Sequence, residues 1–134
     1  MQSNNLCNVI VIPMLDDNFC YYIHRQDDIQ NGVFIDIAEE DVVSEFLRDF
    51  GITSMKNVYS THKHYDHTEA NLPCQAKFPA MQIWGGQYDN IPGCTNPVKD
   101  NMEWEACGGV KVKGFHTPCH TQGHVCFYFD SGVA

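Results

Sequence analysis

The segment THKHYDH places three histidines and one aspartate within six consecutive residues. Imidazole and carboxylate groups together are suitable ligands for Zn²⁺, Fe²⁺ and Mn²⁺. In an extended segment, residues two positions apart point the same way, so His62 and His64 are expected to hold one ion together. Asp66 and His67 follow at a turn, from which they can reach a second ion. A polar loop in which Asp66 or Thr68 caps a helix would explain only one of these residues. The segment therefore predicts a metal site.

A tetrahedral metal needs at least one further protein ligand beyond two histidines. A second histidine-rich segment, HTPCHTQGH, follows a predicted strand, as the first one does. It can therefore reach the same edge of a sheet. His120, between Pro118 and Gly123, is the predicted third ligand. His116 and His124 are expected to be loop histidines or to support a ligand without touching the metal.

The rest of the chain predicts one α/β layered domain spanning residues 1–134. Runs rich in β-branched and aromatic residues predict strands at residues 9–12, 19–23, 33–35, 57–60, 82–84, 102–106, 110–115 and 125–129. Apolar residues spaced on one helical face predict a helix in EEDVVSEFLRDFG, with Gly51 just beyond its end. A short helix is predicted at 69–74, and polar loops at 25–32 and 87–101. His24, at a strand end, has no predicted role.

Charge and cysteine content narrow the possible partners and compartment. The net charge is −9 with only eight basic residues, which argues against nucleic acid and anionic membranes as partners. Seven cysteines without a CxxC pair favour a reducing, intracellular location over a disulfide framework. The first residues lack a basic leader or a long apolar run and are poor in arginine. We therefore expect a cytoplasmic protein rather than a secreted, membrane-spanning or mitochondrial one.

Two motifs resemble those of a known family. THKHYDH is similar to the T-H-x-H-x-D-H motif of the metallo-β-lactamase superfamily. TPCHTQGHVCFYF resembles the corresponding segment of glyoxalase II, the hydroxyacylglutathione hydrolases, and His120 follows His67 by 53 residues, as suits that family. IPMLDDNFCYYI, VFIDIAE and WGGQYD resemble its first hairpin and its next strands. The resemblance covers nearly the whole chain.

The resemblance implies an αββα sandwich, of which this chain is the N-terminal part, and a site for two zinc ions, with iron or manganese as alternatives. The first ion would be held by three histidines: His62, His64 and His120. Asp66 and His67 would hold the second, and Asp66 would also help to orient the attacking hydroxide. Asp36 would orient a ligand, or else be a turn aspartate after a strand. Cys119 is not expected to be a nucleophile, because the family also accepts glycine there.

The family pattern continues with a Gly-Asp segment whose aspartate bridges both metals, a further histidine and a helical region that binds glutathione. The chain stops at FDSGVA, and Asp130 in that segment is not equated with the bridging aspartate. The chain thus corresponds to roughly the N-terminal half of the family pattern, without the glutathione-binding region.

Three functional hypotheses follow. The resemblance implies a metal-dependent thioester hydrolase that converts S-lactoylglutathione to D-lactate and glutathione. An iron-dependent sulfur (persulfide) dioxygenase of the same superfamily is the alternative enzyme, with one iron held by two histidines and a carboxylate. The third hypothesis is a catalytically inactive truncated isoform or interaction module. Half of a layered sandwich should also expose apolar surface, so self-association through an exposed sheet is expected.

Overall fold

Nine strands and three helices form the structure, a computed structural model that describes residues 7–118 and 121–130. The strands are β1 (Cys7–Met14), β2 (Asn18–Arg25), β3 (Asp28–Ile35), β4 (Asn57–Ser60), β5 (Gln82–Gly86), β6 (Asn96–Val98), β7 (Glu103–Cys107), β8 (Val110–His116) and β9 (Val125–Asp130). The helices are α1 (Glu40–Asp49), α2 (Tyr65–Thr68) and α3 (Asn71–Lys77).

The strands form a six-stranded mixed sheet and a three-stranded antiparallel sheet. The larger sheet has the order β1-β2-β3-β4-β5-β6, antiparallel from β1 to β3 and parallel from β3 to β6. The smaller sheet has the order β7-β8-β9. Because β3, β4 and β5 are parallel, the segments that follow them emerge at the same edge.

Successive side chains of a strand point to opposite faces of the larger sheet. One set packs against the helices, and the other faces the smaller sheet. Tyr22 and Phe34 pack with Phe46 of α1, with ring centroids 5.2 and 5.7 Å from that of Phe46. On the opposite face, Tyr59 and Trp84 face the smaller sheet. The indole of Trp84 stacks on that of Trp104 from β7 at a centroid distance of 4.7 Å and an interplanar angle of 10°. The described residues thus form a helix layer and two sheet layers of the predicted αββα sandwich.

The main helix forms where its apolar spacing predicts it. Val43, Phe46 and Leu47 of α1 are buried, and acidic residues occupy its first turn. Gly51 follows its end with a φ of 66°, a left-handed conformation that glycine adopts without steric cost. This confirms the role predicted for Gly51.

Three predicted boundaries were wrong. The predicted loop 87–101 contains β6, because Pro97 signals a loop but is tolerated in an edge strand. The predicted loop 25–32 is a tight turn, because β2 and β3 extend through polar residues on backbone hydrogen bonds. The helix predicted at 69–74 lies at Asn71–Lys77, where Pro73 occupies the first turn and needs no N–H partner.

Part of the larger sheet exposes apolar side chains. We call Val9, Val11, Phe19 and Tyr21 the apolar strip; their exposed fractions are 56, 52, 50 and 38%. Apolar surface is therefore exposed, as expected, on the edge strand β1 and its neighbour β2. None of the described helices is long and apolar enough to cross a membrane.

Candidate metal centre

The candidate ligands lie where neighbouring parallel strands end. Asp36 directly follows β3, and the segment from Thr61 to His67 follows β4. Asp89 follows β5, and the N–H of Val125, which begins β9, donates to the carbonyl of Thr61 at 2.9 Å. Segments after adjacent parallel strands share one edge of a sheet, which is where ligands bind in open α/β sheets.

Four of the five predicted metal ligands come together at this edge. The ring centroids of His62 and His64 are 5.0 Å apart, and those of His62 and His67 are 4.2 Å apart. One potential ligand atom each from His62, His64 and Asp66 lies within 4.8 Å of the others, and the same holds for Asp36, His62 and His67. This combination of imidazole and carboxylate donors fits Zn²⁺, Fe²⁺ or Mn²⁺. The fifth predicted ligand, His120, lies outside the described residues, as does Cys119.

Asp36 determines which nitrogen of two histidines faces the centre. The backbone N–H of Thr61 donates to Asp36 Oδ1, and the Thr61 hydroxyl donates to Asp36 Oδ2, both at 2.7 Å. Because that hydroxyl has only one hydrogen, we assign Nδ1 of His62, 2.9 Å from Thr61 Oγ1, as the donor to it. Nδ1 of His67 donates to Asp36 Oδ2 at 2.8 Å. Both rings are left with Nε2 as the lone-pair atom that can bind a metal.

The backbone at Asp36 is itself unusual. Asp36 is 7% exposed and has a φ of 59°, in the left-handed region that few residues other than glycine adopt. Aspartate tolerates this conformation better than most residues, because its short side chain can bond locally. Of the two roles considered for Asp36 from the sequence, its contacts match the one that orients a ligand.

Asp66, in the short helix α2, is held by Asn18 at the start of β2. The side-chain amide of Asn18 donates to the Asp66 carbonyl at 2.8 Å and to its Oδ2 at 3.1 Å. This bond holds the pKa of the Asp66 carboxyl below its ordinary value, with a smaller effect from His67. The hydrogen bond to Asp36 raises the pKa of the His67 imidazole. Asp66 therefore stays ionised, as a metal ligand must be.

The remaining histidines fall into two groups. The ring of His124 lies 5.0 Å from that of His62, and its Nδ1 is 3.2 Å from the hydroxyl of Thr117, so it stands beside the cluster. His116 points elsewhere, with its Nε2 2.7 Å from the carbonyl of Gln122. His24 is buried near the other end of β2, against its own neighbour's carbonyl.

Curated relatives and solved structures resemble the chain over about half of their own length. No protein-family model matches the chain. Hydroxyacylglutathione hydrolase of Pelagibacter ubique is 37% identical over 121 residues, covering 89% of this chain and 49% of that protein. The cytoplasmic hydroxyacylglutathione hydrolase of Arabidopsis thaliana is 29% identical over 119 residues, covering 89% and 45%. A subclass B3 metallo-β-lactamase of Bradyrhizobium japonicum superposes with a TM-score of 0.77 at 17% identity, covering 93% of this chain and 55% of the enzyme.

The chain has the metallo-β-lactamase fold. In sequence it resembles the N-terminal half of hydroxyacylglutathione hydrolases, the glyoxalase II enzymes. The αββα sandwich predicted from the motifs is thereby confirmed for the part that this chain spans.

An open cleft in this metallo-β-lactamase fold adjoins the histidine cluster. Its volume is about 500 Å³, and its lining consists of Lys63, His64, Tyr88, Asp89, Pro118, Thr121 and Gln122. Lys63 is exposed, and in the described part of the chain its ammonium group forms no ion pair. The cleft therefore combines a candidate metal ligand with a cation that is available to an anionic molecule.

Two residues of the site were not identified from the sequence. Neither Asn18 nor Asp89 has a predicted role. Both contacts join residues that are far apart in the sequence, by 48 positions for Asn18 and Asp66 and by 34 positions for Asp89 and Gly123. The local signals for Asp89 are its position just after Gly85-Gly86 at the end of a strand and its place in the segment WGGQYD.

Proposed function

We propose that this chain provides the metal-binding part of a thioester hydrolase of the hydroxyacylglutathione hydrolase type. The reaction adds water to S-lactoylglutathione and releases D-lactate and glutathione. The observation that carries the proposal is the clustering of His62, His64, Asp66 and His67 in two groups of potential ligand atoms that share His62, with Asp36 in one of them. The names of the relatives in Pelagibacter and Arabidopsis support it.

The proposed cofactor is zinc, two ions in a complete site, with iron or manganese compatible with the same donors. Bound metal ions supply an acidified water and polarise the thioester carbonyl. The residues of the chain have separate roles around them. His62 and His64 would hold one ion, with His120 as its third protein ligand. His67 would hold the other together with Asp66, whose carboxylate would also orient the attacking water.

The open cleft beside His64 is the proposed binding place for the substrate. A glutathione thioester carries carboxylates at both ends of its peptide, and Lys63 offers a counter-charge at the mouth of the cleft. The departing thiolate is a good leaving group, so no strong general acid is required. The name of the cytoplasmic Arabidopsis relative supports the cytosol as the compartment of this reaction.

The test combines metal analysis with a thioesterase assay on wild type, His62→Ala and His116→Ala. His62→Ala should weaken metal binding by more than about a hundredfold, because it removes a directly bound ligand, whereas a group that only orients a ligand typically contributes about 10- to 100-fold. His116→Ala should leave metal binding unchanged, since that ring contacts the carbonyl of Gln122 instead. S-lactoylglutathione hydrolysis that follows the metal content across the three proteins would support the proposal.

Three results would count against the proposal. Equal metal content in His62→Ala and wild type would contradict the assignment of His62 as a metal ligand. One iron per chain with persulfide oxidation and no thioesterase activity would favour the dioxygenase. Stoichiometric metal without any turnover, even when the chain is extended to the length of its relatives, would favour a non-enzymatic role.

A further inference from the structure

A buried carboxylate lies beneath the second histidine-rich segment. Asp89 is 2% exposed, in the turn that follows β5. Its Oδ2 accepts a hydrogen bond from the Thr121 hydroxyl at 3.1 Å, and its Oδ1 accepts one from the backbone N–H of Gly123 at 3.3 Å. Among the described residues, Asp89 belongs to none of the ion pairs. A buried charge without a cationic partner is costly unless hydrogen bonds satisfy it, so both bonds to this one segment matter.

Two glycines allow the segment to dock this closely. A Cβ on Gly123 would lie 2.6 Å from the backbone nitrogen of Asp89 and would collide with the Asp89 side chain. A Cβ on Gly86 would collide with the carbonyl oxygen of Gly123 and lie 2.7 Å from Val125. Backbone atoms cannot give way as a flexible side chain can, so the segment fits against the end of β5 only with glycine at both positions.

The docked segment reaches the histidine cluster. His124 directly follows Gly123, and its ring is 5.0 Å from that of His62. The N–H of Thr117 donates to the carbonyl of His124 at 2.8 Å, which closes the loop between its two ends. His120, the third metal ligand predicted from the sequence, lies between Thr117 and His124 along the chain.

We propose that Asp89 is a positioning residue for the third metal ligand: it anchors the segment 117–124 through Thr121 and Gly123, so that His120 is presented to the ion held by His62 and His64. This inference rests on the proposed metal site. Asp89 acts on the metal through the loop, and it does not bind the metal itself.

The experiment is a Co²⁺ titration followed by absorbance, which reports both affinity and ligand geometry. Asp89→Ala and the milder Thr121→Val should raise the Kd for Co²⁺ by about 10- to 100-fold, as loss of a group that orients a ligand typically does. Asp89→Asn should restore binding, since its amide oxygen still accepts from Gly123 and its NH₂ can donate to Thr121. Thr121→Ser should restore binding in the same way.

A double-mutant cycle separates positioning from a general loss of stability. If Asp89 acts through His120, adding Asp89→Ala to His120→Ala should weaken Co²⁺ binding no further. An equal loss in both backgrounds, or wild-type affinity in Asp89→Ala, would overturn the inference. Absence of Co²⁺ binding by wild type would instead overturn the proposed metal site, and this inference with it. Thr121→Val removes only the hydrogen bond from the Thr121 hydroxyl to Asp89. It therefore still tests the inference if Asp89→Ala does not fold.

Discussion

Nδ1 of His67 lies 2.8 Å from Oδ2 of Asp36, although 31 residues separate the two along the chain. The same carboxylate accepts both donors of Thr61, and through the Thr61 hydroxyl it sets the orientation of His62. One buried aspartate therefore organises two histidines that we assign to different metal ions.

Asp36→Asn tests this arrangement without disturbing the backbone, because asparagine also tolerates a positive φ. The amide has one acceptor oxygen where the carboxylate has two, so its NH₂ group must face either the N–H of Thr61 or the two donors at Oδ2, the Thr61 hydroxyl and Nδ1 of His67. We expect metal affinity to fall by about 10- to 100-fold while the chain stays folded. Metal competition with a chromophoric chelator measures this, with the exposed Asp27→Asn as the control. Unchanged affinity in Asp36→Asn would mean that His67 does not depend on Asp36.

A polypeptide of these 134 residues should bind one metal ion tightly and a second one weakly. The first has three assigned histidines, the usual protein ligand count of a catalytic zinc. The second has Asp66 and His67 alone, without the bridging aspartate of the family pattern to offset repulsion between two dications. Hydrolysis of S-lactoylglutathione and calorimetric binding of glutathione should both be far below those of a full-length relative.

Two tightly bound ions per chain would contradict this expectation. Asp130 does not supply the missing ligand, because it lies five residues along β9 from Val125, roughly 16 Å away at the usual rise of a strand. A second tight ion would therefore point to a ligand other than Asp130, from this chain or from another.

Lys63→Gln should weaken the interaction with an anionic thioester at low salt. A charge pair about 4 Å apart in water contributes about 1 kcal/mol, so kcat/KM should fall about fivefold. The difference should shrink as salt rises, because exposed charges are screened. Lys56→Gln, a lysine beside Ser54 and away from the cleft, is the matched control. If Lys63→Gln and Lys56→Gln lower kcat/KM equally, the decrease comes from the net charge alone.

Tyr59→Phe should destabilise the contact between the two sheets. The Trp104 indole N–H donates to the Tyr59 hydroxyl at 2.7 Å, and Tyr59 is 1% exposed. Without that oxygen the indole N–H loses its acceptor, which costs about 1–3 kcal/mol in the free energy of unfolding. Urea unfolding measures the change. Tyr128→Phe, at an exposed position, should stay within about 0.5 kcal/mol of wild type; a similar loss in both variants would contradict the role of Tyr59.

The apolar strip should make the chain associate with itself at high concentration. β1 is the edge of the larger sheet in the described part, and Val11 is 52% exposed on it. Lysine on an edge strand opposes pairing with another chain, so Val11→Lys should shift sedimentation toward the monomer. Gln82→Lys makes the same charge change at an exposed position outside the strip. Wild type that stays monomeric at all concentrations would contradict this prediction.

The clustering of the candidate metal ligands was predictable because its information is local. His62, His64, Asp66 and His67 lie within six residues, so their proximity needs no knowledge of the fold. Asp36 needed the family resemblance, since a turn aspartate after a strand has the same local pattern.

Asn18 and Asp89 were not predictable for the opposite reason. Each reaches its partner only because strands distant in sequence pair in a particular order and register, which brings β2, β4 and β5 to one edge. β6 was missed similarly, because Pro97 indicates a loop unless one knows that the strand lies at a sheet edge.

The two tryptophans of the chain, Trp84 and Trp104, stack on each other with their indole rings nearly parallel. One comes from β5 of the larger sheet and the other from β7 of the smaller sheet. Two indoles that lie parallel at this distance couple their electronic transitions, and the coupling ends when the sheets separate. The near-ultraviolet circular dichroism of the two tryptophans should therefore report whether the two sheets are packed together. The far-ultraviolet signal reports the strands themselves.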